Sequence, residues 1–119
     1  MTSPLRSVLQ ALAERPEVAG VVVVSDEGLV VESVLPAGVD REAIAALGAT
    51  ALRSLAGLGQ AAGLGSPSGV VVDAPGGALV LQRLAGSTAS LVVLAADAGD
   101  LGSLLYELRR HAPALASLA

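Results

Sequence analysis

The chain contains no cysteine, lysine, asparagine, tryptophan or phenylalanine, and only one histidine, one tyrosine and one methionine. Each absence removes a chemistry. Without cysteine there are no disulfides and no thiolate metal sites, and cysteine usage leaves the redox compartment open. Without lysine there is no Schiff-base nucleophile, and a phosphate-binding P-loop lacks the side chain that reaches the phosphates. Tyr106 is the sole aromatic residue, and seven arginines stand against eleven acids for a net charge of −4. Nucleic-acid binding needs clustered positive charge and stacking platforms, so it is set aside. The missing Asn and Cys would fit a thermophile. A GC-rich coding sequence, with its Ala, Leu, Gly, Val and Arg, accounts for them as well, and the missing Lys runs against the hyperthermophile signature.

Long apolar runs are lacking too. The longest uncharged stretch, residues 54–72, is interrupted by five Gly and one Pro, and MTSPLR at the start carries no apolar signal region. A soluble cytoplasmic protein with no membrane association is therefore expected. With 119 residues, 53% of them hydrophobic, the chain is expected to fold as one domain with an ample core.

In chain order, Ser3-Pro4 opens a helix with Leu5, Val8, Leu9 and Leu12 on one face, and Arg15-Pro16 ends it. Residues 18–25 (VAGVVVVS) are apolar on both alternating faces, which predicts a strand covered above and below. After the turn Ser25-Asp26-Glu27-Gly28, residues 29–35 carry Glu32 and Ser33 in mid-strand and read as an edge. Residues 40–65 form a long helix capped by Asp40 and stopped by Gly63-Leu64-Gly65 and Ser66-Pro67-Ser68-Gly69. Strands over 69–73, 78–84 and 89–95, joined by short Gly-rich loops, predict an antiparallel meander. A last helix opens within Asp97–Asp100, buries Leu101, Leu104, Leu105 and Leu108, and is expected to stop at Pro113. The order predicts an α+β domain, one antiparallel sheet with helices on both faces.

The long helix organises the rest. At helical period Ile44, Leu47, Ala51, Leu55, Leu58 and Ala62 form one stripe, which predicts the face on the core. Glu42, Ala46, Ala49, Arg53, Ala56 and Gln60 form the opposite side, where small residues would let a partner come close. Arg53 reads equally as a solvated or dimer-facing charge and as a partner contact. The flank of Ala45, Gly48, Leu52 and Gly59, with the uncharged edge Val70-Val71-Val72, predicts a dimer interface.

Catalytic patterns are thin. Gly57 to Gly65 look like a dinucleotide loop, but the helix precedes the glycines where that chemistry needs a strand before them and a helix after. His111 reads as a residue near a helix C-terminus, favoured there as a cation by the dipole. Asp97, Asp100 and Asp26-Glu27 read as turn and cap acids rather than metal ligands. Neither a cofactor nor a metal nor a catalytic residue is assigned.

The ordered set GVVVVSDEGLVVES, the Ala-rich helix from Asp40, GVVVDAPGGALVLQRL and SLVVLAADAGDLGSLLYELRR resembles the roadblock/LC7 domain over nearly the whole chain, in particular its bacterial gliding-regulator branch. The resemblance implies a five-stranded antiparallel sheet in a profilin-like layout, with the long central helix on one face and the terminal helices on the other. It also implies a homodimer or a heterodimer with a related chain, formed through the central helix and third strand, serving as a scaffold or regulator of a small Ras-like GTPase. The sequence ends at Ala119, so the resemblance does not extend to any function that some relatives carry in a longer C-terminal tail. The competing class is a small-ligand or nucleotide-binding sensor of similar layout. A sensor needs a pocket with convergent polar groups, and the strands place almost none at buried positions.

Overall fold

Ser3 caps the first helix as its position predicts, its Oγ accepting from the Arg6 N–H at 3.1 Å with Pro4 in the first turn. The computed structural model describes residues 3–96 and 101–119; the expected helix opening at Asp97–Asp100 lies outside them. Helix α1 (Pro4–Ala13) is followed by strands β1 (Val18–Val24) and β2 (Val30–Val34), helix α2 (Arg41–Ala61), strands β3 (Gly69–Ala74), β4 (Gly77–Arg83) and β5 (Ser90–Ala95), and helix α3 (Leu101–Leu118). The strands form one antiparallel sheet in the order β2-β1-β5-β4-β3, so β2 and β3 are its edges.

Alternation along the strands divides the core in two. On one face Val21, Val23, Val80, Leu91 and Val93 meet Leu5, Leu9 and Leu12 of α1 and Leu104, Leu108 and Leu115 of α3. On the other Val22, Val24, Leu81 and Val92 meet Ala45, Ala49 and Leu52 of α2. The first cluster is leucine-rich and the second is built from small helix residues, so α2 lies low on the sheet. Each fully buried leucine of the first cluster contributes roughly 1.5–3 kcal/mol of apolar burial, which places most of the stabilisation on the side of the terminal helices.

Two expectations are corrected. Helix α3 does not stop at Pro113 but runs through it to Leu118. Proline deletes one internal hydrogen bond there, and Leu115, fully buried beyond it, holds the last turns against the core. His111 accordingly sits well inside the helix. Its Nε2 lies 3.6 Å from Glu107 Oε2, so a neighbouring carboxylate rather than the helix end is its partner.

The second correction concerns which side of α2 faces the sheet. The stripe expected to cover the core is largely uncovered: Leu47 is 69% exposed and Leu58 64%, Ala62 is exposed, and Ile44, Ala51 and Leu55 are only partly buried. Ala45, Ala49 and Leu52, assigned above to partner surfaces, are instead buried within the protomer. The physical reason is steric. The valines of β1 and β5 fill the interlayer space, so the helix must present alanine to them, and its larger side chains are left on a flank about a third of a turn away.

Candidate protein interaction surface

Helix α2 lies mainly over β1, β2 and β5 and covers the same face of β4 and β3 only in part: Leu81 is buried against it, Leu79 and Val70 are half-buried and Val72 is exposed. Beside it lies an apolar groove of about 270 Å³, walled by Ile44, Leu47, Ala51 and Leu55 on the helix and by Val70, Val72, Leu79 and Leu81 on the strands. Toward the end of the helix the hollow continues past Leu58, Leu64 and Pro67, and Leu64 is 85% exposed. The groove opens onto the β3 edge, where Val71 and Val72 are each more than two-fifths exposed. An apolar flank, an apolar groove and a bare strand edge are thus continuous, a combination rarely left open to water.

The expected dimer residues divide on this geometry. Val70, Val71 and Val72 lie on the outer edge strand. Gly48 lines the groove but points at Val92, whose Cγ2 would sit 3.4 Å from an added Cβ. A large residue there would strike the protomer's own core. Gly59 serves the chain itself, since the Leu64 N–H donates to its carbonyl at 2.9 Å and a Cβ on it would collide with the Gly65 carbonyl. Ala45 and Leu52 are core residues.

On the opposite flank Glu42, Ala46, Arg53 and Gln60 are exposed, Ala56 is partly covered and Ala49 is buried. The small residues here have an internal occupant, the β1–β2 turn. Gly28, buried and at φ +88, comes so close that a Cβ on it would sit 3.3 Å from Ala46 Cα. Arg53 Nη1 donates to the Asp26 carbonyl of the same turn at 3.0 Å and Nη2 to Thr50 Oγ1 at 3.5 Å. Arg53 is therefore held in place at the surface, facing water. Sequence periodicity could not show that a turn folds back onto alanines; Ser25-Asp26-Glu27-Gly28 was legible only as a turn.

Among the described residues no three His, Asp or Glu groups come together as a metal site, and no helix is long and apolar enough to cross a membrane. Away from this surface, Glu17 is held below the ordinary carboxylate value by its own backbone N–H and by Arg15, whose Nε donates at 2.6 Å. A polar hollow does exist between Arg6, Ser33 and Arg41 at the β2 edge, but the Arg6 guanidinium there is bonded to Glu32 and to the strand backbone.

The sequence matches the Roadblock/LC7 domain family over residues 5–95. Among solved structures, MglB of Myxococcus xanthus superposes with a TM-score of 0.86 at 18% identity, covering 95% of this chain and 92% of that one. A Roadblock/LC7 domain from Streptomyces avermitilis gives 0.74 at 27% identity with 92% of each chain covered. The gliding protein MglB of Thermus thermophilus gives 0.84 at 18% identity, covering 97% of this chain and 87% of that one. No curated protein matches the sequence significantly.

Proposed function

Because this chain belongs to the Roadblock/LC7 domain family, we propose that it is a non-enzymatic, cytoplasmic dimeric platform that binds a small Ras-like GTPase and modulates its nucleotide cycle. The observation that carries the reading is the continuous apolar surface formed by the α2 flank, the groove and the β3 edge. Two copies related by a two-fold axis bury it by pairing β3 with β3 and placing the Leu47–Leu58 flank of each α2 over the other's groove, an isologous contact that closes on itself. The pairing set is then Leu47, Gly48, Leu55, Leu58, Val70, Val71 and Val72.

The opposite flank of α2 stays outside such a dimer. Glu42, Ala46, Arg53, Ala56 and Gln60 there offer contact area with a positioned arginine and no cavity, which suits a protein partner. A Ras-like GTPase docks on this flank. The test is binding of candidate GTPases from the source organism, in their GTP and GDP forms, to the wild-type dimer and to Arg53→Glu. Binding that differs between nucleotide states and falls at least tenfold in a surviving Arg53→Glu dimer is expected. Equal affinity in that dimer would move the docking site to α1 and α3, and no binding by any candidate would remove the GTPase reading.

A further inference from the structure

The two sheet edges are finished differently. Val22 of β1 faces Ser33 of β2, and in an antiparallel ladder the N–H and C=O of one residue point the same way. The Ser33 N–H donates to Glu32 Oε1 at 3.1 Å and the Ser33 carbonyl accepts from Arg6 Nη1 at 3.0 Å, so both groups point away from β1. The same Nη1 donates to the same Oε1 at 2.8 Å. Guanidinium and carboxylate together occupy the donor and acceptor that an incoming strand would use. To one side the β1–β2 register slips after Val23, which breaks the regular run of outward donors and acceptors. On β3, by contrast, no side chain among the described residues bonds to the backbone of Gly69–Ala74; the nearest such contact is Gln82 Nε2 to the Ser68 carbonyl.

The geometry points to the Arg6–Glu32 pair as an edge plug that denies β2 to strands of other copies and so limits assembly to two. This rests on β3 pairing as proposed above: a doubled sheet then ends on both sides in a plugged β2. With the plug removed, doubled sheets have an open edge at each end and join through β2 into an open-ended chain. As an ion pair the contact is partly exposed and stabilises the protomer little. Its effect lies in what it blocks.

The test is sedimentation velocity of Arg6→Ala/Glu32→Ala beside the wild type and beside Arg15→Ala/Glu17→Ala, which removes the Arg15–Glu17 pair and the longer Arg15–Glu107 contact, neither on β2 or β3. From low to high micromolar concentration the wild type and the control are expected to hold at twice the chain mass, while the plug variant forms heavier species in rising proportion. Adding Val31→Lys, a charge on the same edge, should reverse this. Arg6→Met, which keeps the aliphatic stem, serves as the second variant should the double change unfold, and the same heavier species are expected of it. A folded variant of unchanged mass, or heavier species indifferent to Val31→Lys, overturns the plug. Should the wild type itself run at one chain mass, the β3 reading fails separately, and the plug is then judged by whether its variant moves from one mass to two.

Discussion

Glycines 57 and 59 lie two positions apart on α2 and have opposite surroundings. Nothing comes within 4 Å of a Cβ built on Gly57, whereas one on Gly59 meets the Gly65 carbonyl and, at 3.0 Å, Pro67 Cδ. Gly57→Ala is expected to stabilise by up to about 1 kcal/mol through helix propensity, and Gly59→Ala to destabilise by about 1–3 kcal/mol through overpacking. Urea titration of both variants checks the pair; the same sign for both would contradict this account of the helix end. Glu17 gives a pH-dependent case. Its carboxyl is held below the ordinary 4.5 first by its own backbone N–H and then by Arg15, so the folded state binds fewer protons than the unfolded one just below that value. The contribution is present above pH 4.5 and lost as pH falls through the lowered folded value. Glu17→Gln should therefore lower Tm modestly near neutral pH, with the gap closing in acid, as thermal melts across that range would show.

Helix α2 has three faces where a simple amphipathic helix has two: alanines and Leu52 on the sheet, leucines on the groove flank, and a polar flank around Arg53. Replacing Leu47 and Leu58 together by Asp removes side chains that no protomer core needs. The protein should keep its circular dichroism spectrum and sediment at one chain mass. Retention of the dimer would place the interface elsewhere. The same helix explains what sequence could and could not tell. Strand order signals, caps such as Ser3 and Asp40, and the covered character of β1 are local and were legible. The orientation of α2 was not, because hydrophobic periodicity ranks stripes by size and the larger stripe here belongs to the groove. Nor was the continuation of α3 past Pro113, since the tertiary anchor Leu115 overrides a local breaker. Membership of a roadblock-type fold was legible from the order of elements, which depends on none of these orientations.

For the molecule as a whole, the division of the core predicts where stability resides. Leu108, fully buried between α3 and the sheet, should cost about 2–5 kcal/mol on replacement by Ala, whereas Ala45 and Ala49 offer little side chain to remove. Chemical denaturation of Leu108→Ala measures this, and a loss under 1 kcal/mol would mean that the leucine layer collapses around the gap. The composition also bears on activity. The chain has no Lys or Cys, and the His111 Nε2 lies 3.6 Å from Glu107 Oε2 on α3; on that composition we propose that it has no turnover of its own. Purified protein incubated with GTP, ATP and ester substrates is expected to show no turnover above blank, and a rate abolished by His111→Ala would reverse that reading. The sheet order carries a kinetic consequence as well. Val21 pairs with Val93, 72 positions later in the chain, so on the ribosome β1 waits roughly 4–14 s for its neighbour at ordinary elongation rates. During that interval VAGVVVV, seven uncharged residues with strong strand preference, has only β2 to pair with and no second strand to shield it. The nascent chain is thus most vulnerable to misassociation before β5 emerges, and it is the last strand made, at the centre of the sheet, that ends the exposure.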